Sequence, residues 1–168
     1  MTPSELSREL REEHTPELSR RRTIFALSLA GVGIAQIVSL YQFGLIKRLP
    51  DPPIALFDSS KVNASDYAYK RLQTPDAVFM LFTYAATAWL AVVGGKDRAK
   101  NQPILPALLG LKALLDVGTN LELAREEWGD NKKLCFYCQS ASVLSLIILF
   151  LAAPEALRGV RGLFGSKE

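Results

Sequence analysis

Cys135 and Cys138 are the two cysteines of this 168-residue chain, spaced CxxC in "NKKLCFYCQSASVLSLIILF" (131–150), with an apolar run following at once. A helix starting at Cys135 sets unpaired N–H groups and the positive end of the helix dipole beside its sulfur. Lys132 and Lys133, just upstream, add positive potential. Both effects favour the thiolate, which is the nucleophile of disulfide exchange. Cys138 falls one turn deeper, near enough to close a disulfide. Redox chemistry is the sharpest reading; two inert buried thiols and half of a metal site are the alternatives. Zinc needs about four ligands, and the single histidine, His14, falls on the predicted opposite side, so no metal is expected.

Two further groups have chemistry to offer. In "LQTPDAVFML", Thr74 reads as an N-cap and Pro75 as the first helical residue, which puts Asp76 in the first turn of an apolar helix. A carboxylate there is either a partner of the helix dipole or a group in a site at the same depth as the CxxC. Lys112, Asp116 and Asn120 recur at i, i+4 and i+8 on one helical face. Ionisable groups at membrane depth are costly and face the bundle interior; these form either an ion pair holding helices together or a proton route toward the thiols.

The elements that must position these residues follow from where apolar residues cluster. Hydrophobic residues make up 49 %, yet the first 22 residues are almost entirely polar and four long apolar runs come after them. That pattern predicts an all-α integral membrane protein, a four-transmembrane-helix bundle. The polar N-terminal segment is 1–22 and the membrane domain 23–153, with spans at about 23–46, 75–95, 103–123 and 135–153. Each run can cross a ~30 Å hydrocarbon core as a helix. Pro154 is expected to break the last span. The tail 154–168 interleaves Leu157, Val160, Leu163 and Phe164 with Arg158 and Arg161, which suits either the inner membrane surface or a frayed end. Residues 2–19 predict one short cytoplasmic helix, with Thr2 as N-cap and Glu5 as capping-box partner. Arg20, Arg21 and Arg22 abut the first span, so both termini are expected in the cytoplasm and the CxxC on the outer side of an inner or plasma membrane. A disulfide can persist there. The net charge of +3 and the lack of any nucleic-acid motif exclude a nucleic-acid partner.

The longest connection, 47–74, joins spans one and two as an extracytoplasmic lid. "LPDPP" should be extended, and "DSSKVNASDYAYKRLQ" should form an amphipathic lid helix with Val62, Tyr69 and Leu72 on or near one face.

With "LCFYC" opening the last span and "SSKVNASDYAYKRLQTPDAVFML" leading into the second, the chain resembles the vitamin K epoxide reductase family, of bacterial type, over roughly residues 23–153. The resemblance makes the "NAS" sequon at Asn63 a chance match. It implies a membrane thiol:quinone oxidoreductase using menaquinone, ubiquinone or a vitamin K-like quinone. Cys138 would face the quinone, and Cys135 would exchange with an incoming thiol from an extracytoplasmic thioredoxin-like protein. Asp76 stands where the family has a polar residue, typically Asn, that hydrogen-bonds a quinone carbonyl. An ionised Asp only accepts hydrogen bonds, so it would need a proton to donate one. Tyr137, Ser142 and Phe57 complete the expected quinone-binding set.

One departure is plain. Catalytic members of the family carry two more cysteines in the lid, and here Ser59 stands about where the second would be, beside Phe57 and Asp58. The two-stage relay cannot operate in this chain. The alternative function is therefore a non-catalytic bundle that binds a quinone, a lipid or a protein. A transporter or channel subunit would suit Lys112 and Asp116, but the four runs contain no repeat.

Overall fold

The capping signal at Thr2 is realised as a helix. In the computed structural model, which describes residues 2–165, Thr2 Oγ1 accepts the Glu5 N–H at 3.3 Å. The Glu5 carboxylate accepts the Thr2 N–H at 2.7 Å, opening α1 (Pro3–Glu12). The single helix expected over 2–19 is broken. Pro16 disfavours helical geometry at the residue before it, so Thr15 is extended and caps a new helix, α2 (Pro16–Gln42), accepting the Leu18 N–H at 3.2 Å. α2 takes in the arginine triplet and ends short of Ile46, where Gly44 adopts a left-handed φ of 76°.

Short α3 (Ser59–Asn63) precedes α4 (Asp76–Val92), and short α5 (Arg98–Asn101) precedes the long helices α6 (Ile104–Asn131) and α7 (Phe136–Phe164). α2, α6 and α7 are long and apolar enough to cross a membrane; α4 is apolar but has 17 residues. At 1.5 Å per residue α4 spans roughly 25 Å, the lower edge of what a bilayer core requires. α2 packs on α4 and α7, and α6 on α7 and α4, around Ile24, Leu90, Leu109 and Ile148. Gly31 and Gly110 allow close approach: a Cβ on either would lie 2.4 Å from Tyr84 or Ala156 respectively. Large apolar side chains such as Leu29, Phe82, Trp89, Leu115 and Phe150 face outward, as lipid-facing surfaces do and water-facing ones rarely do.

Pro154 does not end the last helix. A proline inside a helix costs about 3 kcal/mol through a lost N–H donor and a clash with the preceding turn. Contacts beyond it offset that cost: Glu155 pairs with Arg98 through two bonds of 2.8 Å, and Arg158 reaches Glu17 at 2.8 Å. Arg98 also donates to the Leu90 and Val93 carbonyls, and Arg21 donates to those of Ala91, Val93, Gly94 and Gly95. Two guanidinium groups thus satisfy the carbonyls left open at the end of α4. α6 also outruns its expected end near Leu123, continuing to Asn131 and stopping where Lys132 turns left-handed (φ 52°).

The 47–74 segment is not one amphipathic helix. Asp58 caps α3 by accepting the Lys61 N–H at 3.0 Å; an extended Ser65 then interrupts before a 3-10 turn at Asp66–Ala68. Val62 is buried, but Leu72 is 84 % exposed, and Leu72 and Gln73 both have φ of 52°. Thr74 Oγ1 turns back to the Leu72 carbonyl (3.0 Å), so Pro75 rather than Thr74 holds the N-cap position of α4. The segment is pinned against the start of α7: Leu134 N–H donates to Leu56 O and Asp58 N–H to Leu134 O, each at 3.0 Å.

Candidate functional site

Cys135 is the N-cap of α7, and its Sγ accepts the Cys138 N–H at 3.2 Å. Asn63 Nδ2 donates to the same sulfur at 3.1 Å, and the Cys138 thiol lies 2.7 Å from it. Three donors aimed at one sulfur make Cys135 the better seat of the two for a thiolate. The lysines contribute less directly than their positions suggest, since Lys133 Nζ is turned to the Ala55 carbonyl. Cys135 is 0 % exposed, whereas Cys138 is half-buried. A protein thiol reaches Cys135 only if the 47–74 segment moves.

Cys138 lines a cavity of about 190 Å³ between α4, α6 and α7. Asp76 and Ser142 line it too, as do Asp116, Asn120 and Glu127 from α6, and Tyr67 and Arg71 close it from the 47–74 segment. Burial keeps the Tyr67 phenol protonated well past its ordinary range. Tyr84 spans the floor, its OH donating to Ala141 O at 2.5 Å and lying 2.9 Å from Ser145 Oγ. The walls are apolar where Met80, Phe79 and Leu123 face inward, an arrangement suited to a flat, largely apolar ligand with a few polar anchors.

Tyr137 and Phe57 do not line this cavity. The Tyr137 OH donates to the Pro50 carbonyl at 2.9 Å, and the Phe57 ring packs edge-on against Phe136 at 5.6 Å. Tyr137 follows the helix start outward and Phe57 follows the loop over it, so both hold the 47–74 segment in place. Ser59, buried, donates its hydroxyl to the Asp51 carboxylate and accepts the Phe136 N–H at 2.8 Å. The position the resemblance assigns to a relay thiol thus sits against the residue next to Cys135.

Three residues outside the expected set join the site. Gln42 Nε2 donates to Asp76 Oδ1 at 2.7 Å and to Asn63 Oδ1 at 3.4 Å, so a chain of polar contacts runs Asp76–Gln42–Asn63–Cys135. Glu127 accepts the Cys135 N–H and, at 2.9 Å, an N–H of Gln139. Asn63 lies in the "NAS" sequon, and Glu127 in the polar run "REEWGD" beyond the expected end of the third span. Ligand atoms of Glu127, Cys135 and Cys138 lie within 4.8 Å of one another; a closed zinc site takes four.

Lys112 Nζ lies 2.5 Å from Asp116, from Thr83 O and from Thr87 Oγ1. The pair therefore ties α6 to α4, the helix-binding role, and Asp116 also lines the cavity.

A model of the vitamin K epoxide reductase family matches residues 22–153. No curated protein matches the chain.

Proposed function

The chain belongs to the vitamin K epoxide reductase family and is a membrane oxidoreductase of that type, and from that premise we propose that it passes electron pairs from a thiol donor through Cys135 and Cys138 to a quinone. One observation carries the reading: Cys138 opens onto the cavity while Cys135, one turn above, is bonded to the loop side of the molecule. Two S–H bonds break and one S–S bond forms; two electrons and two protons pass to the quinone, which leaves as quinol. A donor dithiol then reduces the disulfide and is itself oxidised. Menaquinone, ubiquinone or a vitamin K-like quinone has the required chemistry.

Asp76, at the head of α4, is the polar group we assign to meet a quinone oxygen, and Ser142 lines the same cavity from α7. Asp76→Asn is expected to preserve or raise the rate of quinone-dependent thiol oxidation near neutral pH. The amide keeps an acceptor for Gln42 and always offers a donor. Asp76→Ala should lose most of that activity while the bundle stays folded, since a helix-start carboxylate contributes about 0.3–1 kcal/mol. Oxidation rates and unfolding curves of the three proteins check this. Equal rates would make Asp76 a dipole partner only.

The reading also needs four spans, with α4 among them, and the thiols on the outer face. Reporter fusions after residues 20, 100 and 168 are expected to report cytoplasm, and those near 60 and 130 the outer side. An inverted pattern would put the thiols in a reducing compartment and remove the basis for quinone-linked oxidation.

With no cysteine in the 47–74 segment, an outer thiol donor, such as a thioredoxin-like protein, must act on the CxxC itself. That requires the segment to lift from Leu134 and from Cys135. A non-catalytic quinone- or lipid-binding bundle is the second reading, favoured by Ser59 in the place of a relay thiol. It predicts quinone binding with both thiols left reduced.

A further inference from the structure

Six carboxylates on the bundle helices are buried or half-buried; Glu17 pairs with Arg158, Glu126 with Lys70 and Arg71, and three more have a dedicated partner. Glu155 has Arg98, Asp116 has Lys112, and Asp76 has the Gln42 amide. Glu127 is different. It is 1 % exposed, and among the described residues no Lys, Arg or His lies within salt-bridge distance of it. Its partners are two neutral N–H groups, the Cys135 backbone and the Gln139 amide, both on the segment that carries the thiols. Its carboxylate lies within 4.8 Å of both sulfurs, and the same side chain lines the cavity onto which Cys138 opens. A carboxyl group with only neutral donors can exist in either protonation state, because no fixed cation holds it ionised.

We propose that Glu127 carries a proton between the thiol pair and the ligand in the cavity. The inference rests on the quinone reading above and adds a residue to it. Oxidation of the dithiol releases two protons in a site closed off by the 47–74 segment, and reduction of a quinone consumes two. A thiol proton passes to the Glu127 carboxylate as the S–S bond forms, and from the carboxyl to a quinone oxygen. The second thiol proton goes to the other quinone oxygen, and Glu127 ends in the state in which it began. Positioned acid–base groups of this kind contribute about 10²–10⁴-fold. The charged or titratable groups facing Glu127 are Cys135 and Cys138 on α7, Asp76 on α4, and Tyr67 and Arg71 from the 47–74 segment.

The test uses the full-length reduced protein in detergent, with menadione as quinone and diamide as a small oxidant that needs no access to a quinone site. Rates of thiol loss are followed from mildly acidic to mildly alkaline pH for the parent, Glu127→Gln and Glu127→Asp. Glu127→Gln, which keeps an acceptor for the Cys135 N–H, is expected to slow oxidation by menadione about 10²-fold or more. It should also flatten the pH profile while changing the diamide rate only a few-fold. Glu127→Asp should recover part of the menadione rate. Equal losses with both oxidants would mean that Glu127 only positions the thiols, and an unchanged menadione rate and pH profile would remove it from the reaction; either outcome overturns the proposal and leaves the quinone reading intact. A parent protein that menadione does not oxidise would sink the quinone reading itself, and this proposal with it.

Discussion

Cys138→Ser and Cys135→Ser are each expected to reduce quinone-dependent oxidation to the level of a protein-free control, because either change removes one of the two sulfurs of the disulfide. The two variants should nevertheless differ. In Cys135→Ser the remaining thiol opens onto the cavity, so small apolar alkylating reagents should label it readily. In Cys138→Ser the remaining thiol is fully buried under Asn63 and the 47–74 segment, so it should label slowly, at a rate set by opening of that segment. Labelling rates measured with and without menadione test both statements, since a ligand in the cavity should protect Cys138 more than Cys135. Quinone oxidation that persists in either variant would mean the chemistry does not run through the pair.

Glu155→Ala carries the largest expected loss of stability, about 3–5 kcal/mol, because it leaves a buried Arg98 guanidinium without its counter-charge. Arg98 has 0 % side-chain exposure and Glu155 5 %, so water cannot substitute cheaply for the lost carboxylate. The loss should fall first on α7 beyond Pro154, where this pair helps to offset the proline. Replacing both partners, Arg98→Met with Glu155→Leu, should cost much less, since a buried ion pair exchanged for apolar residues of similar volume is often near neutral. Arg98 also holds the Leu90 and Val93 carbonyls, so the double variant should keep a residual penalty. Denaturant or thermal unfolding in detergent separates these cases, and a loss below about 1 kcal/mol for Glu155→Ala would contradict the assignment.

That same ion pair marks the boundary of what the sequence could disclose. The apolar runs, the Thr2–Glu5 capping box and the helix start at Cys135 depend on neighbours in the chain, and each was legible. Pro154 looked like a stop because its cost is local; the compensation comes from Arg98, 57 residues away. Asn63 and Cys135 are 72 residues apart, so no periodicity could join them. Glu127 was invisible for a related reason. Its sequence neighbours are polar, and only the return of α7 and the 47–74 segment over the end of α6 buries it. The single lid helix failed on local grounds: the Asn63 and Ser65 side chains compete with the backbone for hydrogen bonds, and Ser65 is extended. Tyr137 and Phe57 entered the expected quinone-binding set through the family resemblance, whereas the structure turns Tyr137 to the Pro50 carbonyl and packs Phe57 on Phe136.

The central claim is that one thiol pair delivers two electrons to a quinone in the cavity beside Cys138. The most direct measurement mixes fully reduced protein with menadione in the absence of oxygen. Quinol formed is read by absorbance, and thiols remaining by alkylation and mass spectrometry. The account predicts one quinol per pair of thiols lost, with Cys135 and Cys138 recovered as a single disulfide-linked peptide. Thiols that stay free and alkylatable while no quinol appears would contradict it.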